Sequence, residues 1–170
     1  YAISGFWVVL LRNIKARKLL IIGLSLFSVA ILLYLLTGFS IPFMGDTDKQ
    51  GLLEGWMPGA ELISRELEAY RGSWIQQMEY RIKEAIMMQS TAFFIQTGWR
   101  VSGLMLIGMA LFKWGILSAQ KSKAFYIKLI LLSLIPGILL VAYGMKTNFN
   151  VGFSMEYSFF LGSQYNYVGS

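Results

Sequence analysis

The chain has 170 residues, of which 56% are hydrophobic and 14% are charged, with a mean hydropathy of +0.56, and this composition predicts a membrane protein because an ordinary soluble domain carries about 25% charged residues. The net charge of +6 collects in two short segments rather than on a polar face with interleaved aromatic residues, so nucleic acid is not a predicted partner. Cysteine and histidine are absent, which excludes a disulfide framework and removes the commonest general base and metal ligand, so neither a metal site nor a cofactor is predicted.

The chain begins with a short apolar segment that leads into a cluster of cations. Residues 1–11 are apolar, but a helix needs about 20 residues to cross a bilayer core of about 30 Å, so they predict a truncated transmembrane helix. Residues 12–18 then carry four cations and no acid. Residues 19–41 contain no charge and predict a complete transmembrane helix.

Residues 43–90 differ from the rest because they contain eight acidic and five basic side chains. The first part, up to residue 59, is rich in glycine and is predicted to be an irregular loop. From residue 60 onward apolar side chains recur at steps of three and four, which predicts amphipathic helices over 60–71 and 73–89 with a break at Gly72. Helices of this kind pack on the protein's own membrane domain, lie in the membrane interface or bind a partner, and the sequence leaves these alternatives open.

Two further apolar segments are long enough to span a membrane. Residues 92–112 contain few polar side chains, and residues 126–145 contain Pro136 near the middle, where a proline is expected to kink the helix. Between these two segments, residues 113–128 carry four lysines and no acid. Residues 157–170 are predicted to begin a further transmembrane helix.

The distribution of charge predicts the orientation. Cytoplasmic loops of membrane proteins carry an excess of lysine and arginine, so loops 12–18 and 113–125 are predicted to be cytoplasmic and segment 43–90, with a net charge of −3, to be extracytoplasmic. Because the chain opens and closes inside apolar runs, we expect it to be the middle part of a larger multi-pass protein of the plasma membrane. The predicted fold class is all-α, a polytopic helical membrane protein with an extracytoplasmic amphipathic helical insert.

Arg100 is the sharpest candidate for a functional side chain. A charge at the middle of a membrane helix costs about 2.5–3.5 kcal/mol on insertion scales, so such residues usually face a bundle interior or a wet cavity. There Arg100 would bind a carboxylate or a phosphate through two hydrogen bonds. Alternatively, the helix enters the membrane near Gln96, and Arg100 extends outward to the interface beside Trp99.

The residues around Arg100 complete a candidate cavity. Gly103 lies one helical turn beyond Arg100 on nearly the same face, and Gly108 lies deeper in the same span. A glycine leaves room beside the helix for a ligand or for another helix. The candidate cavity-lining residues are Gln96, Trp99, Gly103 and Gly108.

Three stretches of the sequence resemble one bacterial family. They are AYRGSWIQQMEYRI at 69–82, GLMLIGMALFKWGILSAQKSKAFY at 103–126 and LGSQYNYVGS at 161–170, and the opening YAISG adds to them. Together they resemble the YeiB-like integral membrane proteins, which carry domain of unknown function 418. That family is similar to a superfamily of transmembrane acyltransferases that includes the lysosomal enzyme acetylating heparan sulfate.

The resemblance implies an integral membrane enzyme that transfers an acyl group from a donor such as acyl-CoA to an extracytoplasmic acceptor. The catalytic histidine of the superfamily has no counterpart here, because the chain lacks histidine, so the catalytic residues remain unknown. A transporter or channel subunit and a non-catalytic membrane scaffold are the alternative functions. Three lysines would attract the phosphates of a cytosolic donor, although the positive-inside rule alone accounts for them: Lys113, Lys121 and Lys123.

Overall fold

The computed structural model describes residues 2–169, except for the side chains of Thr91 and Gln96. Over this range the protein is helical and contains no strand, which confirms the predicted all-α class. The α-helices are α1 (Ala2–Leu10), α2 (Ala16–Ser40), α3 (Asp46–Trp56), α4 (Ala60–Arg71), α5 (Trp74–Met87), α6 (Gly98–Lys113), α7 (Lys123–Asn150) and α8 (Ser163–Gly169). Two π-helices, π1 (Met88–Thr97) and π2 (Glu156–Gly162), precede α6 and α8, and a 3-10 turn covers Ile41–Phe43.

Two helices in the described range are long and apolar enough to cross a membrane, Ala16–Phe43 and Lys123–Asn150. They contain the predicted spans 19–41 and 126–145, and α7 continues as a helix through its internal proline. The predicted span 92–112 is helical throughout but is divided between π1 and α6, whose 16 residues extend for about 24 Å. At this coarse level the structure supports association with a membrane, and the multi-pass arrangement stays a prediction.

The prediction of an irregular loop up to residue 59 is wrong, because α3 occupies most of that segment. Its first turn contains Asp46 and Asp48, whose negative charges stabilise the helix by interacting with the positive end of its dipole. Its last turn is held by tertiary contacts, since the indole Nε1 of Trp56 donates a hydrogen bond to the carbonyl oxygen of Phe153 at 3.1 Å. These contacts offset the loss of helix stability that Gly51 and Gly55 cause inside α3.

The core of the molecule is the antiparallel contact between α2 and α6. Leu19, Leu106 and Ala110 are fully buried there. The two backbones approach closely at Gly23 and Gly103, where a Cβ atom on Gly103 would lie 2.7 Å from the carbonyl oxygen of Gly23. Glycines permit this approach, as is common where membrane helices cross.

The π2–α8 segment packs between α2 and α7. Phe160 lies against Gly38 of α2, and the Tyr167 hydroxyl donates a hydrogen bond to the carbonyl oxygen of Phe27 at 3.1 Å. On the other side, the Tyr165 ring lies against Gly144 of α7. This arrangement fixes α8 antiparallel to α2, at the level of the middle of α2.

Helices α4 and α5 form a hairpin that projects from the bundle. The predicted break is confirmed, since α4 ends at Arg71 and α5 begins at Trp74. Among the described residues α4 packs on α5 and α5 on π1, and neither packs extensively on α1, α2 or α7. Leu67 and Trp74, which belong to the predicted apolar stripe, are exposed. Within the described range this stripe does not cover α1, α2 or α7, and its contact with the membrane domain, the membrane interface or a partner stays a prediction.

The two predicted basic loops meet at one end of the bundle. The Lys113 ammonium donates hydrogen bonds to the carbonyl oxygens of Arg12 at 2.5 Å and Ile14 at 2.6 Å. The contact of Trp56 with Phe153 lies at the opposite end of α2. The structure thus groups the segments as the charge pattern predicts, and which end faces the cytoplasm stays a prediction.

Candidate functional site

An apolar groove of about 560 Å³ lies between α1, α2 and the continuous π1–α6 helix. Its floor is buried, because Leu106 has no exposed surface and Ser102 is 6% exposed. Its rim is open, since Ile3 is 66% exposed and Phe94 69% exposed. No charged side chain lines the part of the groove that the structure describes.

The groove exists because small residues on α6 face a short neighbouring helix. Gly98 and Ser102 are one turn apart on α6 and both are buried in the groove wall. Trp7 of α1 and Trp99 of α6 flank the groove. Sequence reasoning named Trp99 but missed Ser102, although the positions 99, 102 and 106 have the spacing of one helix face.

Trp99 lines this groove, whereas Arg100, around which the sequence predicted a cavity, is absent from its lining. The indole Nε1 of Trp99 donates a hydrogen bond to the carbonyl oxygen of Phe94 at 2.5 Å. This hydrogen bond holds the ring beside π1, whose hydrogen bonding is looser than that of an α-helix. Turns of π-helix occur frequently at functional sites, so the presence of π1 favours a functional role for this wall of the groove.

Arg100 follows Trp99 in sequence but points to a different neighbour. Its guanidinium carbon lies 4.7 Å from the centre of the Tyr167 ring, a cation–π geometry. The Tyr167 hydroxyl in turn donates a hydrogen bond to the carbonyl oxygen of Phe27. Phe27 lies about 16 Å along α2 from Ala16, the first residue of that helix. Arg100 therefore packs against α8 rather than in the groove, and the choice between the two alternatives for its role stays a prediction.

The two candidate glycines have different surroundings. Gly103 packs directly against α2 and leaves no room for a ligand, so the helix-packing alternative is correct for it. Gly108 faces open space, in a shallow depression between α1 and α6 that is separate from the groove. The side chain of Gln96 lies outside the described part of the structure.

The three candidate lysines do not form one structural unit. Lys113 is engaged with the carbonyl oxygens at the end of the first basic loop, which is a structural role. Lys121 and Lys123 are exposed, and Lys123 is the first residue of α7. All three lysines are exposed, and Lys113 differs in that its ammonium group is hydrogen-bonded to these backbone carbonyl oxygens.

Several buried polar atoms were not foreseen from the sequence. The hydroxyl of Ser4 on α1 is fully buried without a hydrogen-bond partner among the described residues. The same holds for the side-chain oxygens of Asn148, Ser158 and Gln164 near π2 and α8. No group of three or more acidic, histidine or cysteine side chains that could hold a metal occurs within the described range.

Comparison with known proteins identifies no relative of this chain. No family model, no curated protein and no solved structure matches the chain significantly. The resemblance to the YeiB-like family and the activity that it implies therefore stay predictions.

Proposed function

We propose that this chain forms part of a multi-pass plasma-membrane protein that transfers an acyl group to an acceptor on the extracytoplasmic side. In this proposal the basic loops 12–18 and 113–125 face the cytoplasm, and segment 43–90 with the α4–α5 hairpin lies outside. In this arrangement α2, α6 and α7 lie within the lipid bilayer.

The observation that carries this proposal is the apolar groove. An acyl-transferring enzyme needs a surface that holds a hydrocarbon chain while its carbonyl carbon reacts, and positioning of this kind supplies a large part of catalysis. The groove offers about 560 Å³, within the usual range of ligand pockets. It extends from Phe93, at the end of the bundle that the proposal places outside, to Leu106, and the proposal places the carbonyl end of the chain near Phe93.

The residues of this chain bind and orient in the proposal, and they do not supply the base. Trp7 and Trp99 enclose the chain, and Ser102 contributes a hydroxyl to the floor of the groove. Arg100 holds α8 against the α2–α6 pair from a face of α6 about 100° away from that of Trp99. Lys121 and Lys123 would attract a phosphate-bearing donor if it arrives from the cytoplasm.

Acyl transfer by the purified full-length protein in proteoliposomes tests the proposal. A labelled acyl donor, either acyl-CoA or a phospholipid, is offered together with extracytoplasmic acceptors, and transfer of the label is measured. Ser102→Phe fills the groove and is expected to abolish transfer, and Leu26→Phe does so from the α2 side. The matched control Ser133→Phe changes an exposed position of α7 and is expected to retain transfer. Absence of transfer by the wild type, or full activity of both groove variants, would refute the proposal.

A transporter is the second candidate, and the two π-helices favour it. Each lies directly before a helix that runs toward the basic end of the bundle, π1 before α6 and π2 before α8. Irregular helices in corresponding positions of two halves are a feature of transporter binding sites. Ion-coupled uptake of a solute into the same proteoliposomes, without acyl transfer, would establish this alternative.

A further inference from the structure

We infer that the basic end of the bundle binds the phosphate headgroups of anionic lipids in the adjoining membrane leaflet. The basic surface is defined as the exposed cations of residues 12–18 together with those of residues 113–123. This inference rests on the membrane placement in the proposed function and does not depend on acyl transfer. Three features of the surface support it: the contact between its two segments, their unbalanced charge and the apolar side chains beside them.

Hydrogen bonds fix the two segments of the basic surface at the same end of the bundle. The ammonium group of Lys113 donates to two carbonyl oxygens of the first segment, which holds that segment against the end of α6. The second segment is folded on itself, because the Tyr126 hydroxyl donates to the carbonyl oxygen of Ile116 at 2.7 Å and accepts the N–H of Lys121 at 3.4 Å. The cations of both segments therefore lie in a fixed arrangement.

The charge of this surface is not balanced within the two segments. Residues 12–18 carry four cations and residues 113–123 carry three, and neither segment contains an acidic residue. The first turns of α2 and α7 begin here and also contain no acid, so the positive ends of both helix dipoles add to the same field. These like charges repel one another, and a bound phosphate reduces that repulsion.

Exposed apolar side chains beside the lysines favour a lipid over a soluble anion. Trp114 directly follows Lys113 and is 38% exposed, and Leu117 in the same segment is 60% exposed. Phe125, in the first turn of α7, is 37% exposed. Tryptophan is enriched at the level of lipid headgroups, and a lysine there keeps its apolar stem in lipid and its ammonium group in water. A membrane surface satisfies both kinds of side chain, whereas a free phosphate ion satisfies only the cations.

Charge complementarity determines the kind of lipid. Each lysine or arginine near an anionic membrane surface strengthens binding about fivefold, so several cations together select an anionic lipid over a zwitterionic one. Segment 43–90 follows the other end of α2 and contains more acidic than basic residues, so it does not share this preference. The expected partner is therefore an anionic lipid at the basic end.

Electron paramagnetic resonance with spin-labelled lipids tests the inference on the full-length protein in phosphatidylcholine bilayers. The spectrum gives the fraction of labelled lipid that the protein immobilises, and labelled phosphatidylglycerol is compared with labelled phosphatidylcholine. The wild type is expected to bind phosphatidylglycerol about fivefold more strongly. This preference should fall steeply in about 1 M salt, where the screening length is about 3 Å.

Three lysines serve as the test positions. Lys15, Lys121 and Lys123 are exposed, and their ammonium groups make no hydrogen bond to the residues that the structure describes. The combination of Lys15→Gln, Lys121→Gln and Lys123→Gln is expected to remove most of the preference, whereas arginine at the same positions should retain it. Lys113 stays unchanged, because its ammonium group joins the two segments.

The matched control removes three exposed cations from the α4–α5 hairpin by combining Arg71→Gln, Arg81→Gln and Lys83→Gln. It changes the net charge by the same amount and should keep the preference. Equal loss in both triple variants would show a response to net charge alone and would overturn the inference. Circular dichroism checks that each variant is folded.

Two further comparisons separate a lipid from a soluble phosphate and the inference from the proposed function. A preference that disappears when phosphate replaces chloride at equal ionic strength would assign the surface to a free phosphate compound and overturn the inference. Equal binding of both lipids by the wild type would overturn it as well. Selective binding without acyl transfer keeps the lipid surface and refutes the proposed function, and acyl transfer without selective binding does the reverse.

Discussion

Arg100 and Trp99 show that a shift of one position along a helix changes which neighbour a side chain contacts. The two residues are neighbours in sequence, but successive side chains on a helix point about 100° apart. Trp99 therefore faces the groove, and Arg100 faces the Tyr167 ring. Arg100 is half-buried at this contact, and its charge lies against the face of the Tyr167 ring.

At the residue scale, Arg100→Ala is expected to loosen α8 from the α2–α6 pair. A cation–π contact away from water contributes about 0.5–2 kcal/mol, so the unfolding midpoint in detergent should fall accordingly. Arg100→Lys keeps the charge and should recover part of the loss. A second measurement, acyl-donor binding, should change little in Arg100→Ala, because the side chain lies outside the groove. A loss of binding in a well-folded variant would instead assign Arg100 to the donor.

At the element scale, the crossing of α2 and α6 depends on the absence of a side chain. A Cβ atom on Gly103 would lie 2.7 Å from the carbonyl oxygen of Gly23 and 2.9 Å from the nitrogen of Phe27. Both neighbours are backbone atoms, so the helices must separate to admit it. We expect Gly103→Ala to lower the free energy of unfolding by about 1–3 kcal/mol. Gly108→Ala is the matched control, since its Cβ would meet nothing within 4 Å, and equal stabilities of the two variants would contradict this contact.

The start of α5 provides a second test at the element scale. The side-chain oxygen of Gln76 accepts a hydrogen bond from the backbone N–H of Ser73 at 2.8 Å, which satisfies a donor at the helix start. Gln76→Ala should remove about 0.5–2 kcal/mol of helix stability and accelerate hydrogen exchange in the first turn of α5. Gln50→Ala, on the exposed side of α3, should leave that exchange unchanged. Rapid exchange across both 60–71 and 74–87 in the wild type would show that the hairpin is not formed.

At the scale of the whole molecule, the meeting of the two basic loops predicts that both face the cytoplasm. The segment lacks cysteine, so single cysteines report cleanly. Ser118→Cys is preferable to Ser122→Cys, because the Ser122 hydroxyl accepts the Phe125 N–H at the start of α7. An impermeant thiol reagent should label Ser118→Cys only after permeabilisation and Ser64→Cys in intact cells. Labelling of Ser118→Cys in intact cells would reverse the orientation.

The sequence by itself determined the helical class, the long apolar segments, the two basic loops and the break at Gly72. These features depend on local composition: an uncharged run partitions into a bilayer, and a glycine between two amphipathic patterns ends a helix wherever the rest of the chain lies. The same local reasoning mistook α3 for a loop, because the contacts of Trp56 with residues a hundred positions later hold that helix.

Only the tertiary structure decided which side of each helix faces which neighbour. It separated Trp99 from Arg100, assigned Gly103 to a helix crossing and Gly108 to open space, and formed the groove from α1, α2 and α6. The physical reason is that the rotation of a helix about its axis is set by the fit of side chains from distant parts of the chain. A single sequence indicates the pattern of each helix but does not contain the partner against which that pattern packs.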